Sequence, residues 1–319
     1  MNILVIGSGV SGLSCGIRLL EAGHSVQIWA RELPPHTTSN IAAAVWYPYK
    51  AYPEDLVLRW SALTYMDFVQ LAQVEGSGVW LQQGREIFPE PVADPWWRNA
   101  VPSFRRAEPH ELPVGYRDGF VFEAPVIEMD MYLPFLQERF TRLGGQCAVR
   151  EVHDLAEAFA EHDVVVNCTG LGARELVGDT TMVPIRGQVV RVAQPGLQEF
   201  TLDDYNPRGV TYIVPRSNDC ILGGVAEDGR EERSVEPETA AAILERCIAL
   251  EPRLRHAVVL EHRVGLRPGR PTVRLEAEPY APGKTLVHNY GHGGAGVTLS
   301  WGCAAEVVQL VARYVQRAK

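Results

Sequence analysis

Two glycine-rich stretches, one near each end of the chain, have the residue types and spacing for chemistry. In "VIGSGVSGLS", Gly7, Gly9 and Gly12 form a GxGxxG pattern directly after an apolar run and before a helical one. In that context the glycines permit a tight turn, a close approach of backbone to a pyrophosphate and close packing of the helix, which is the chemistry of dinucleotide binding. The acidic residue that usually holds a ribose hydroxyl is displaced: the next strand ends in Ala30, Arg31 and Glu32, so Arg31 suits the adenylate phosphate or ring and Glu32 the ribose. The second stretch, "LVHNYGHGGAGVTLSWGCA" from Leu286 to Ala304, holds five glycines in nineteen residues. Glycine is used where φ is positive or where a side chain would collide with something, so a flat or anionic group is expected to press on this backbone, under the positive end of a helix beginning near Gly296. The first motif does not choose between NAD and FAD. A second site so distant in the chain favours FAD, which stretches across a domain and needs support at its isoalloxazine end.

The elements that must position these turns follow from periodicity. "NILVIG", "SGLSCGIRLLEAG" and "HSVQIWAR" read as a βαβ unit. Residues 55–72 make a long amphipathic helix, and 76–128 mixes short strand-like runs with Pro, Gly, Trp96 and Trp97. "DMYLPFLQERFTRLGG" is helical, "QCAVREV" and "DVVVNCTG" return to parallel-strand character, and residues 186–225 alternate with period two, which predicts an antiparallel sheet with one exposed face. The helix "PETAAAILERCIAL" and the strand-rich "HAVVLEHRVGLRPGRPTVRLE" precede the second glycine-rich stretch. The fold class is α/β: a Rossmann-like domain with a parallel sheet (1–50, 133–185 and 268–319) interleaved with an α+β substrate domain containing an antiparallel sheet (51–132 and 186–267).

Composition excludes several function classes. Of 319 residues 46% are hydrophobic and 22% charged, a globular balance, and a net charge of −9 with no basic run offers nothing to nucleic acid. The six cysteines are dispersed with no CxxC pair, which fits buried thiols in a reducing compartment and gives no reason to expect a metal. No apolar run reaches the ~20 residues of a spanning helix, and "MNILVIGSG" lacks the basic region of a signal peptide. A cytoplasmic protein without a membrane partner is expected, with a homodimer left open.

"HNYGHGGAGVTLSWG", "GSGVSGLS", "VNCTG", "RGQVVRV", "TYIVP" and "VGLRPGRPTVRLE" occur in the order found in D-amino-acid oxidases and the related D-aspartate oxidases, and the sequence resembles that family over nearly its whole length. The resemblance implies a non-covalent FAD enzyme that oxidises D-amino acids to imino acids by hydride transfer to flavin N5. Electrons pass to dioxygen to give hydrogen peroxide, and water completes deamination to a 2-oxo acid and ammonia. It further implies that Arg267 clamps the substrate carboxylate, that Tyr212 adds a hydrogen bond to it, and that the Gly294 carbonyl accepts the amino proton; these are the three catalytic positions, with Tyr49 also in the substrate pocket. Gly7, Gly9, Val10, Ser11, Gly12, Arg31, Glu32, Thr37, Thr38, Ser39, Ala43, Ala44, Val152, Thr169, Gly293, Gly294, Gly296, Val297 and Thr298 match cofactor contacts. Read alone, Arg267 is an ordinary salt-bridge residue, Tyr212 a half-buried core tyrosine and the Thr/Ser cluster a capped loop. Arg270 and Arg274 suit structural roles.

One departure affects specificity. Vertebrate amino-acid oxidases carry a second tyrosine on a lid before the "YIIP" strand, whereas "NPRGVTYIVP" is about three residues shorter, with Val210 and Thr211 there, so the lid is expected to be reduced or absent. Tyr49 replaces a histidine and Tyr205 an arginine of the aspartate oxidases, leaving a second substrate carboxylate without a cation unless Arg208 supplies one. Neutral, apolar D-amino acids are therefore expected to be preferred. A D-aspartate oxidase is the alternative enzyme and a catalytically silent flavin-binding protein the alternative of another class, while the glycine-rich pattern disfavours a glycine or sarcosine oxidase. The purified protein is expected to be yellow and to release its flavin into the supernatant on acid or heat denaturation. Flavin remaining with the precipitate would indicate a covalent link.

Overall fold

Unbroken runs of β-branched and apolar residues, "NILVI" and "VVVN", become strands buried at nearly every position, as strands covered on both faces require. The structure, a computed structural model, describes residues 1–317. The chain opens with β1 (Asn2–Ile6), α1 (Val10–Glu21) and β2 (Ser25–Ala30), the expected βαβ unit. It continues through α2 (Glu54–Leu71), β3 (Val79–Phe88), β4 (Phe104–Arg106), β5 (Asp118–Ile127), α3 (Met129–Arg142), β6 (Gln146–Val149), α4 (Leu155–Glu161), β7 (Val164–Asn167) and the short α5 (Ala173–Leu176). Then come β8 (Val183–Ala193), β9 (Phe200–Asp203), β10 (Thr211–Pro215), β11 (Asp219–Gly223), β12 (Glu227–Asp228), α6 (Pro237–Leu250), β13 (Val259–Gly269), β14 (Arg274–Ala281), β15 (Lys284–Tyr290) and α7 (Gly296–Arg317).

Two sheets result. The first has the order β14-β15-β7-β1-β2-β6, parallel from β15 to β6 with β14 antiparallel on its edge. The chain leaves β1 for β2 on one side while β7 lies on the other, so a crevice opens beyond the C-terminal ends of β1 and β7, where open α/β sheets bind ligands. The second sheet runs β12-β8-β11-β10-β9-β3-β5-β4, with β13 along the other edge of β8. It is antiparallel except where β3 meets β9.

Two expectations about the second sheet are corrected. Residues 76–128 are not a set of short runs: β3 and β5 pair over ten residues, from Val79 opposite Ile127 to Phe88 opposite Asp118. The period-two pattern of 186–225 does not mark an exposed face, because β10 and β11 are buried almost throughout. One face packs Val190, Val192, Ile213 and Leu222 under Ile243 and Cys247 of α6. The other turns Val189, Tyr212 and Val214 to an internal cavity. Alternation reports two different sides, and here both are covered.

Helices α1, α3 and α7 pack on the first sheet, and α2 packs against α7 and against β3 and β5 of the second. Glycines set the spacing: a Cβ on Gly16 of α1 would come 2.7 Å from the Phe140 ring of α3, and one on Gly302 of α7 would come 2.1 Å from the Trp60 carbonyl oxygen of α2. The Gly302 N–H donates to Thr64 Oγ1 at 2.9 Å across the same contact. Gly302→Ala should therefore force α2 and α7 apart, at a cost of about 1–3 kcal/mol for an overpacked core. Thermal unfolding checks this; an unchanged Tm would contradict the α2–α7 contact.

Candidate active site

The crevice beyond β1 and β7 opens into a cavity of about 430 Å³ whose other wall is the inner face of the second sheet. That volume lies within the roughly 300–1,000 Å³ of ordinary ligand pockets. At one end, Gly7 follows β1 with φ +110°, and a Cβ there would lie 2.5 Å from the Cys168 carbonyl oxygen at the end of β7. A Cβ on Gly12 would lie 1.9 Å from the Gly7 carbonyl oxygen, so this glycine packs the helix behind the turn and does not line the cavity. Gly9, Val10 and Ser11 do line it. The α1 N-terminus has no side-chain cap and no acid in its first turn, and the Val10 N–H donates to Ser39 Oγ at 3.0 Å. Partly unsatisfied N–H groups at the positive end of a helix suit a phosphate.

The remaining positions named from sequence also line this cavity: Arg31, Glu32, Thr37, Thr38, Ser39, Ala43, Ala44, Tyr49, Val152, Thr169, Tyr212, Arg267, Gly293, Gly294, Gly296, Val297 and Thr298. Several already have protein partners. Arg31 lies 3.5 Å from Glu151, the Glu32 carbonyl accepts the Ser8 hydroxyl at 2.5 Å, and the hydroxyls of Thr37 and Thr169 donate to Asn40 and Asn167 at 2.8 and 2.7 Å. The loop 37–41 is thus capped as well as cavity-lining.

The second glycine turn has a packing reason that the sequence does not show. At Gly293, with φ +57°, a Cβ would lie 2.1 Å from the Lys50 carbonyl oxygen, and at Gly294 it would lie 2.4 Å from Cδ1 of Tyr49. On the side where a side chain would project, these two glycines meet the chain's own segment 49–50, and both also line the cavity. Thr298 fastens the same segment: its Oγ1 accepts the Tyr47 N–H at 3.1 Å and its hydroxyl donates to the Tyr47 carbonyl at 3.0 Å. Gly296 differs. A Cβ there would have only His292 within 4 Å, at 3.8 Å, so the open space is the cavity itself.

Arg267 and Tyr212 lie side by side on the second sheet. Arg267 sits near the end of β13, opposite Ile185 of β8, and its Nη1 donates to the Val225 carbonyl at 3.0 Å. Its guanidinium lies over Gly187, where a Cβ would come 2.5 Å from Nη1. Tyr212 pairs with Gly223, and its ring lies on Gly223 and Gly224; a Cβ on Gly223 would be 1.9 Å from Cζ. Burial pushes the Tyr212 phenol up while Arg267 pulls it down, and burial likewise raises Tyr49, so both hydroxyls remain protonated donors. Arg270 and Arg274 are engaged elsewhere, with Asp179 at 2.9 Å and with Glu276 at 2.7 Å.

Sequence reasoning missed Tyr47, Asp204 and His292, which also line the cavity. Behind Tyr47, whose hydroxyl donates to Glu86 Oε1 at 2.7 Å, burial pushes the Glu86 carboxyl up to about 8. The buried His292 imidazole is pushed down to about 4 and its Nε2 donates to Asn289 Oδ1 at 2.9 Å, so it is neutral. The paired acids "DD" ahead of the shortened connection were the available signal for Asp204. Arg208 and Tyr205 do not enter the cavity: exposed Arg208 pairs with Glu245 at 3.0 Å, and exposed Tyr205 packs on Phe88 with ring centroids 5.4 Å apart.

The sequence model of the FAD dependent oxidoreductase family called DAO matches residues 2–310. The chain belongs to this family. It is 57% identical to a D-amino-acid oxidase of Rubrobacter xylanophilus over 96% of this chain and 94% of that one. It is 37% identical to the human D-aspartate oxidase over 98% and 95% of the two chains. Among solved structures, a glycine oxidase of Geobacillus kaustophilus superposes with a TM-score of 0.81 at 20% identity, covering 98% and 94% of the two chains, a likeness of fold.

The residues of this family member fit FAD. One cavity receives the N-termini of both α1 and α7, takes in the Arg31–Glu32 and Val152 positions at the end near the phosphate turn, and meets Gly293–Thr298 near Arg267. Gly296→Val should fill open space rather than protein, leaving a folded chain that retains at least about ten-fold less FAD, the scale of one misplaced group at 1.4 kcal/mol. The flavin-to-protein absorbance ratio beside far-UV circular dichroism checks this; full flavin content would place Gly296 outside the cofactor site.

Proposed function

We propose that this protein oxidises D-amino acids to 2-oxo acids with non-covalently held FAD, releasing ammonia and hydrogen peroxide. The observation that carries the reading is the Arg267 guanidinium beside the Tyr212 phenol on the wall of the cavity that the phosphate turn also enters. A planar guanidinium with one arm held by a backbone carbonyl has its other edge available for a carboxylate in bidentate geometry. Tyr212, protonated and immobilised on Gly223 and Gly224, adds a single donor.

FAD, when bound, supplies the acceptor for the α-hydrogen and its electrons and returns them to dioxygen. The chain's part is orientation. Arg267 and Tyr212 fix the carboxylate, the Gly294 carbonyl receives the amine, and the packing of Tyr49 on Gly294 sets where that carbonyl stands. A three-point hold leaves the α-hydrogen of one enantiomer facing the cofactor side and turns that of the other away. Positioning of this kind can carry much of a barrier without a basic side chain.

Selectivity against acidic substrates is supported by two placements. Arg208 is engaged by Glu245 outside the cavity, and the acid Asp204 lines it, so a second substrate carboxylate would not be met by Arg208 and would face one like charge. The D-aspartate oxidase reading is the weaker for this, and the silent flavoprotein reading is weakened by Arg267 and Tyr212 standing together. We read 1–50, 133–185 and 268–319 as the flavin domain and 51–132 and 186–267 as the substrate domain, a division that the membership of the two sheets supports and from which α2 departs by packing on α7. Six free cysteines, with Cys15 and Cys168 Sγ 4.0 Å apart and unlinked, support a reducing, cytoplasmic setting.

Arg267→Ala should raise KM for D-valine by roughly two orders of magnitude, on the scale of 2–5 kcal/mol for truncating one partner of a buried charge pair. Tyr212→Phe should cost roughly 2- to 10-fold, the 0.5–1.5 kcal/mol of one hydrogen bond. Peroxide-coupled assays measure both. Wild-type kinetics in both variants would remove Arg267 and Tyr212 from the substrate site.

A further inference from the structure

Asp204 is the first residue after β9, and strand geometry aims it. Leu202 is directly opposite Tyr212 in the β9–β10 ladder, and Asp203 is opposite Thr211. Alternation places Leu202, Asp204 and Tyr212 on one face, the face that lines the cavity, while Asp203 turns away from it. There Asp203 accepts hydrogen bonds from Tyr116 and Asn206 at 2.5 and 2.8 Å. Asp204 has no hydrogen bond or ion pair with any described side chain. None of the cations around it pairs with it: Arg267 has one arm on the Val225 carbonyl and its other edge toward the substrate carboxylate, Lys50 lies 3.8 Å from Asp228, and Arg208 is on Glu245.

Carboxylates with a purely structural role in a protein interior have donors around them. This one is half-buried on the cavity wall near Tyr47, Tyr49, Tyr212 and Glu86, with only the opposing fields of Arg267 and Lys50 to steady it. Its charge is therefore already partly desolvated before any ligand arrives, and a cation entering the pocket would meet it at little further desolvation of the acid. Diagonal neighbours on an antiparallel pair stand roughly 7–8 Å apart, which is the relation of Asp204 to Tyr212. A D-amino acid whose α-carboxylate lies on Arg267 and Tyr212 can reach that far with a lysine or arginine side chain.

We propose that Asp204 is the side-chain recognition residue of this pocket, and that, in place of the preference for neutral, apolar side chains expected from sequence, it selects D-amino acids carrying a cationic side chain, D-lysine and D-arginine, over uncharged ones of similar length. The proposal rests on the oxidase reading and names the substrate class of that same site. It also gives the short connection 204–210 a positive role: Val210 lies on the cavity wall beside Asp204, and Thr211 is held by Gly209 and Arg246.

The readout is the ratio of kcat/KM for D-lysine to that for D-norleucine, its uncharged analogue, in the FAD-loaded enzyme. A charge-assisted hydrogen bond predicts a ratio above one by roughly 10- to 100-fold, and Asp204→Asn should remove that advantage. In the wild type the ratio should also rise with pH, because burial, aided by Asp203 and opposed by Arg267 and Lys50, lifts the Asp204 carboxyl to about 6. Below that pH the acid is neutral and the advantage is lost; above it the carboxylate is present. Glu86, Asp203, Tyr47, Tyr49 and Tyr212 are the other titratable groups around it, with Tyr205 outside the cavity; the tyrosines stay protonated across that range and Glu86, raised to about 8, is still neutral near 6. A ratio near one that ignores pH overturns the proposal, even if Asp204→Asn fails to fold. So does an Asp204→Asn enzyme slowed equally on both substrates, which would make Asp204 a partner of the α-amine. Failure of every D-amino acid to reduce the flavin would defeat the oxidase reading instead.

Discussion

Everything about the cavity depends on one close crossing of the chain, where residues 47–50 lie against the turn that starts α7. The Lys50 carbonyl occupies the place of a Cβ on Gly293, the Tyr49 ring that of a Cβ on Gly294, and Thr298 exchanges two hydrogen bonds with Tyr47. The same strand of chain is tied to the second sheet a few residues earlier. Ala44 and Ile127 exchange backbone hydrogen bonds at 3.2 and 2.9 Å, and the Trp46 N–H donates to the Pro125 carbonyl at 2.8 Å. One short segment thereby joins the end of β5 to the N-terminus of α7. The two sheets are held at a fixed separation, and the space left between them is the site.

From that joint the electrostatics follow. Helix N-termini enter the cavity at α1 and at α7, which suits an elongated anionic cofactor. The second sheet contributes the positive guanidinium of Arg267 and, two residues along the same face as Leu202, the negative carboxylate of Asp204. Glycines at 187, 223 and 224 let the arginine and tyrosine lie flat on the sheet instead of projecting across the cavity. The substrate end is therefore a shallow, charged surface under a cofactor-sized space, with burial keeping its phenols protonated.

The sequence made part of this legible. Gly7, Gly9 and Gly12 could be read because their context, strand before and helix after, is local, and Arg267 and Tyr212 because they sit in motifs that resemble a known family. The causes of the other features lie far away in the chain. Nothing near Gly293 shows that Lys50 will fill the space beside it, and Thr298 meets Tyr47 across 251 positions. Period two in β10 and β11 was visible, but the cover that α6 gives to one face was not. Nothing local shows where Asp204 points either, because the orientation of the acid is set only once Leu202 pairs with Tyr212.

Anaerobic mixing of the FAD-loaded protein with D-alanine and, separately, with L-alanine reports most directly whether one cavity holds the cofactor against a carboxylate fixed by Arg267 and Tyr212. Loss of the oxidised flavin's visible absorbance with the D-enantiomer alone, reversed on admitting air with peroxide formed in step, is the predicted result. Equal reduction by both enantiomers, or by neither, would contradict it.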